Sequence, residues 1–326
     1  AKAYDYETNL PPDHPASASS LLSSVVHQRT LGLFDDGVPI PEGGGLSGIL
    51  GNLKENYEVL KGQMGFNNPQ NETGRFSLRS ECFRIQDDAT WANELAAMVE
   101  PDLWDVAEFR RYCRPFAAYD PDLPEPGLVI PFNTSIRSRE NFFGWPLGPQ
   151  DHAYDPSTFA TRIRSVGIWF SGYDHSALSE TPRAYLVPAG MDVMTVPTDE
   201  DLGVRTWNVV QQRIPIPFPA GDADFGNRRW LPLTDSLNGA LSDTIRYSSF
   251  RVYHDTGYFD ESEMTYSSRL VGRSVWNTQW LLIIPGSSLY YDPAEGLNRF
   301  IYGRNFNGNG VKDIKLFFQT YSHSGG

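Results

Sequence analysis

The sequence predicts a mainly β protein: an antiparallel β-sandwich with two short inserted helices, preceded by an extended arm and one helix. Three observations carry this. From Gly127 onward the chain reads as strand-like runs, "GLVIPFNTSI", "TRIRSVGIWFSGY", "RAYLVPAG", "TWNVVQQRIPIPF", "IRYSSFRVYHD", "SRLVGRSVWNTQWLLIIPG" and "VKDIKLFFQTY", separated by Gly, Pro, Asp and Asn. These runs do not alternate with helical segments, which favours antiparallel layers over a parallel α/β sheet. Hydrophobic residues make up 40 % and aromatics 13 % of the 326 residues, enough to build a sizeable core.

The elements follow in order. Residues 1–48 are rich in Pro, Gly and Ser and predict an extended arm with at most one short helix near Leu21–Arg29. After Ser47, the residues Ile49, Leu50, Leu53, Tyr57 and Leu60 lie at helical spacing, and Gly62 and Gly65 suit its end. "NNPQNETG" is the joint, so the chain divides into an arm (1–48), a helix and linker (49–75) and a sandwich (76–326). "RFSLRSECFRI" alternates and predicts the first strand. In "DDATWANELAAMVEPDLWDVAEFRRYCRPF", Asp87 or Asp88 caps a helix carrying Trp91, Leu95 and Met98. Pro101 then restarts a second helix with Trp104 and Phe109. No other strong helical signal follows residue 65.

The closing strand poses the sharpest question. Ile314, Leu316 and Phe318 point to one face, and Phe317 and Tyr321 to the other, mixed with Lys315 and Gln319. An edge strand of this kind would invite aggregation. Both faces are therefore expected to be covered, the second either by another layer of the same chain or by a partner.

Charge and composition exclude several function classes. The net charge of -13 and pI near 4.9 repel phosphate, so neither nucleic acid nor an anionic membrane surface is an expected partner. No apolar run reaches the ~18 residues of a membrane span. The opening "AKAYDYETNL" has no Met and no signal-peptide pattern, which fits processing or a piece of something longer. Cys82 and Cys113 are too few for a disulfide scaffold, although one bridge between them is feasible. Asn71-Glu-Thr and Asn133-Thr-Ser match the glycosylation pattern.

Catalytic patterns are lacking. There is no Cys-x-x-Cys, His-Glu-x-x-His, P-loop or Gly-x-Ser-x-Gly, and Gly43–Gly45 lacks the Lys and preceding strand of a phosphate cradle. Asp151-His152 (with Asp155), Asp174-His175 and His254-Asp255 offer metal-type ligands from loops, but Asp and His are equally at home in solvated turns. "NFNGNGVKD" imitates a calcium loop, yet Leu316 stands where the bidentate Glu belongs. Acidic groups such as Asp222 with Asp224, or Asp260 with Glu261 and Glu263, would suit glycoside hydrolysis only if placed across a cleft. The better clue is aromatic. Phe142, Phe143, Trp145 and Tyr154 cluster in "NFFGWPLGPQDHAYD", where rings stack on sugars, anchor protein interfaces, or simply plug the end of a sandwich. Trp207 and Trp230 add to the lectin-like alternative.

The order of segments resembles the C-terminal region of the A component of bacterial Tc (toxin complex) insecticidal toxins. A helix end and joint, "NYEVLKGQMGFNNP", precedes the strand "RFSLR"; two short helices follow, then "LVIPFN" and the irregular "NFFGWPLGPQDHAYDPSTFATRIRSVGIWF". Arg162, Arg164, Ser165 and Val166 resemble a family strand with "RIKSV"-like residues, and "VKDIKLFFQTY" before "SHSGG" resembles a closing strand of the "SDVILHIRYTA" type. The likeness spans residues 50–326 with insertions, and the loops around 196–244 depart from it. The channel, shell and receptor-binding regions of such a toxin are absent from this sequence. The resemblance implies a terminal β-sandwich that acts as a platform for a partner subunit, with sheet edges and loops meeting the partner. Together with the residues themselves it gives the expectation of a non-catalytic assembly domain without cofactor or metal. Its expected setting is outside the cell or at the cell surface, and its partner a protein or another copy of itself. Phe142, Phe143, Trp145, Tyr154, Phe317 and Tyr321 are the candidate contact residues, and a carbohydrate-binding module is the alternative.

Overall fold

The computed structural model describes residues 70–113, 122–179, 184–197, 202–208, 245–249, 272–304 and 310–324, with isolated positions including Tyr6, Ser17, Phe34–Asp35, Val38–Pro39, Pro182 and Leu270. The expected helices near 21–29 and 49–60, and the arm as a whole, lie outside the described residues apart from such isolated positions.

The predicted mainly β architecture is present. Strands β1 (Phe34–Asp35) and β2 (Val38–Pro39) form a small antiparallel pair. One four-stranded antiparallel sheet has the order β10-β6-β12-β3, built from β3 (Gln70–Ser77), β6 (Phe159–Ser171), β10 (Ile245–Ser249) and β12 (Asp313–His323). A second has the order β4-β5-β11-β7, built from β4 (Val99–Glu100), β5 (Gly127–Phe132), β7 (Tyr185–Pro188) and β11 (Trp280–Pro285). Strands β8 (Asp192–Pro197) and β9 (Leu202–Trp207) make a separate hairpin.

Alternation decides which side chains fill the space between the sheets. Ile168 and Phe170 of β6 join Ile314, Leu316 and Phe318 of β12 in one core cluster with Leu128 and Ile130 of β5 and Trp280, Leu282 and Ile284 of β11. The odd partners in the second sheet, Tyr185, Val187, Leu281 and Ile283, face away. They are covered by Leu103 and by Phe109 of a short helix, α2 (Ala107–Tyr112). This is why "WLLIIP" reads as one unbroken apolar run: both of its faces are buried.

The closing strand is thereby explained. β12 is an inner strand, paired with β6 on one side and β3 on the other. Its second face is covered within the chain: Phe317 is fully buried and Tyr321 nearly so, and Trp169 packs beside Phe317 at a ring separation of 6.1 Å. Register shifts at Gln319/Thr320 and Tyr321/His323 interrupt the alternation, so that Thr320, Tyr321, Ser322 and His323 are all buried.

Several elements differ from the sequence expectation. The first strand begins at Gln70, inside the expected linker, and ends at Ser77 rather than continuing through Ile85. The next residues, Leu78–Cys82, form a wide helical turn. Ser77 and Glu81 cap it reciprocally: the Ser77 hydroxyl accepts from Ser80 N–H at 2.9 Å and the Glu81 carboxylate accepts from Ser77 N–H at 2.9 Å. Helix α1 (Asp88–Ala97) starts as expected, with the Asp87 carboxylate accepting from Thr90 N–H at 2.8 Å. Pro101 opens no continuous helix; a single 3₁₀ turn at Leu103–Asp105 precedes α2. A third helix, α3 (Pro293–Tyr302), was not expected at all. Asp292 caps it through Glu295 N–H at 3.1 Å, Pro293 occupies its first turn, and Gly303 at φ +83° ends it. Its buried Leu297, Phe300 and Ile301 seal the sandwich, Phe300 meeting Phe170 edge-on at 5.1 Å. Gly310 then lets the chain pass close to this helix, since a Cβ there would lie 2.0 Å from the carbonyl oxygen of Ile301.

Candidate functional site

The aromatic loop splits into an inward and an outward half. Phe142, Phe143 and Tyr154 turn into the core, around Phe76 of β3. Phe142 stacks on Phe76 at 3.8 Å and lies 5.6 Å from both Tyr154 and Phe318. Tyr154 sends its hydroxyl over Gly74, where a Cβ would come within 2.5 Å of it, to donate to the Phe318 carbonyl at 3.3 Å. Trp145 and Leu147 turn outward, 50 % and 54 % exposed.

A polar frame fixes the outward half. Asn141, fully buried, donates to the Glu81 carbonyl at 3.0 Å, and its own side-chain oxygen accepts from the N–H groups of Phe143 and Trp145, each at 3.0 Å. The indole N–H of Trp145 donates to the Cys82 carbonyl at 2.8 Å, so the half-exposed ring is pinned at its polar edge. The Glu81 carboxylate accepts from His152 N–H at 2.8 Å and lies 3.1 Å from His152 Nδ1. Arg84 grips Asp151 in a two-point ion pair, 2.7 and 2.8 Å, and also donates to the Pro146 carbonyl at 3.1 Å. Asp151 accepts from Gly148 N–H at 2.7 Å.

This frame holds strained backbone. Arg84, Arg139 and Gln150 have φ of 60°, 68° and 71°, and all three adjoin the loop; among the described non-glycine residues, only Ala160 shares a positive φ. Such conformations cost about 1–3 kcal/mol each and persist where surrounding contacts over-determine them.

The Asp151 carboxylate titrates below its ordinary value. Burial alone would raise it, but the Arg84 hydrogen bonds, the Gly148 N–H and the Arg84 charge outweigh that. A depressed folded value means stability that is present above the unfolded value of about 3.9 and lost as pH falls through the folded value. Asp151→Asn is therefore expected to melt below the wild type at pH 7. The gap should close progressively as pH is lowered from about 4, which thermal denaturation across a pH series reads directly.

The other sequence candidates fall elsewhere. Phe317 and Tyr321 are interior side chains of β12, and Trp207 is buried beside Met194 and Val196. Of the six candidate contact residues, only Trp145 presents its ring to solvent. Asp155 caps Ser157 N–H at 2.8 Å and Asp174 accepts from Ser176 N–H at 3.0 Å, both the local turn bonds typical of Asp. Among the described residues no group of three or more His, Cys, Asp or Glu side chains converges. Trp230, His254, Asp255 and the acidic groups at 222–224 and 260–263 lie outside the described residues, as do Asn305–Asn309. Cys82 and Cys113 are both free thiols; Cys82 packs beside the main core and Cys113 in the outer cluster, and burial pushes the Cys82 thiol up to about 12.

A second polar centre was not foreseen. Asp192 of β8 is completely buried and receives Arg273 at 2.7 and 3.1 Å, Asn277 at 2.7 Å, and the Tyr6 hydroxyl at 2.7 Å. Thr134 extends this region, accepting from Asn277 N–H at 2.8 Å and from the Trp280 indole at 3.0 Å. No helix among the described residues is long and apolar enough to cross a membrane. No protein-family model matches the chain, and no curated protein matches it.

Proposed function

We propose that this chain is a non-catalytic assembly domain that binds a partner subunit, or another copy of itself, through the end of the sandwich carrying Trp145 and Leu147. The observation that carries this is an exposed indole and an exposed leucyl side chain on one loop, held in a conformation that the Asn141, Cys82 and Arg84 contacts enforce. A large aromatic held rigid at low entropic cost is the usual anchor of a protein interface. Strained, over-determined backbone around it fits a surface kept in shape for binding rather than for packing. The resemblance to the terminal platform of the Tc A component supports the same reading, and with it a place outside the cell or at its surface. The glycan-binding alternative retains a single exposed ring at this end.

Trp145→Ala tests the reading. The half-exposed ring gives up little core, so unfolding free energy should fall by only about 1 kcal/mol. Association, followed by sedimentation, should weaken by about 30-fold, since an anchor of this type is worth about 2 kcal/mol. Unchanged association would remove the proposal. A glycan array signal lost in the same variant would transfer the site to the carbohydrate reading.

A further inference from the structure

Tyr6 occupies a socket that, among the described residues, is built by parts of the chain distant in sequence. Its ring is completely buried, meets the Trp207 ring edge-on at 5.6 Å, and lies under the Arg162 guanidinium at 5.3 Å. Its hydroxyl is read on both sides. It donates to Asp192 Oδ2 at 2.7 Å and accepts from Ser274 N–H at 2.7 Å. The Tyr6 carbonyl accepts from Arg162. Burial first, and the Asp192 charge second, push the phenol well above its usual range, so it stays protonated and able to donate.

The walls of the socket are also tied to one another by contacts that do not pass through Tyr6. Asp192 keeps three other donors, two from Arg273 and one from Asn277, and a bridge between Arg162 and Ser274 joins two of the walls. The Ser274 N–H, the Asp192 carboxylate and the Trp207 ring, on a strand paired with β8, supply a donor, an acceptor and an aromatic wall that suit a phenol. Residues 7–69 separate Tyr6 from the start of β3. A chain of that length reaches up to about 200 Å when extended, so the covalent connection does not dictate which copy's Tyr6 fills which socket.

We propose that this pocket is a tyrosine-specific peptide site, filled in cis by Tyr6 and open to Tyr6 of a second copy. It shares no residue with the Trp145 end and stands or falls separately from it. The test uses the full chain carrying Tyr6→Ala and a labelled peptide of residues 1–10. The variant should bind the peptide, while the wild type, already filled, should bind it far more weakly. A Tyr6→Phe peptide forfeits both hydroxyl hydrogen bonds, one of them to a carboxylate, and should bind about 10- to 100-fold more weakly. A folded Tyr6→Ala chain that ignores the peptide, or that takes the Phe peptide equally well, overturns the proposal. If that variant does not fold, native-state hydrogen exchange of the Ser274 amide in the wild type decides. Exchange through a local opening, faster than global unfolding, is expected of a detachable plug. Exchange only through global unfolding would make Tyr6 a fixed part of the core and refute the site.

Discussion

Asp192→Ala is expected to lower the unfolding free energy by about 3–5 kcal/mol, the usual cost of removing one member of a buried ion pair. The carboxylate is inaccessible and gathers four hydrogen bonds from Arg273, Asn277 and Tyr6. Removing it takes the Asp192 ion pair from the Arg273 guanidinium, itself 3 % exposed. Urea denaturation should show the loss as a lower midpoint. Replacing both partners with apolar residues, as in Asp192→Leu with Arg273→Met, should cost less than Asp192→Ala alone, because the buried guanidinium is then removed together with its carboxylate. Equal or greater loss in the double variant would mean that the shape of the pair, not its charge balance, holds this region together.

Phe142→Ala is expected to be comparably damaging, about 3–5 kcal/mol, because truncating a buried ring removes its transfer energy and opens a cavity. The ring is fully buried, stacks on Phe76 and lies against Phe143, Tyr154 and Phe318. Three residues further on, Trp145→Ala should cost only about 1 kcal/mol. One loop thus carries two kinds of aromatic residue, and the two substitutions separate them: Phe142 by stability, Trp145 by association. A large stability loss in both would mean that Trp145 belongs to the core.

The fold class was legible because strand periodicity is a local signal. Ile314, Leu316 and Phe318 alternate with Lys315, Phe317 and Gln319, and "WLLIIP" announces a strand buried on both faces. Helix α3 was missed although its cap and stop residues stand in the sequence. Its middle holds Gly296 and its end Phe300, Ile301 and Tyr302, all weak helix formers. Gly296 is there for packing: a Cβ would come within 2.9 Å of Tyr290. Local propensity gave way to tertiary fit.

The site was half legible. The density of rings in "NFFGWPLGPQDHAYD" drew attention to this loop, but an irregular loop has no period, so nothing local says that Phe142 turns in and Trp145 out. Leu147 was overlooked for the same reason. The Asp192 centre carries no local signal whatever. Its partners lie 81, 85 and 186 residues away, and only the folded chain brings them together.

The most direct test of the assembly account is the native mass of this chain, purified from its source and measured beside its Trp145→Ala variant. A ring, fibre or complex with another subunit in the wild type, lost in the variant, is the predicted result. A monomer at high concentration, or an assembly indifferent to Trp145, would contradict it.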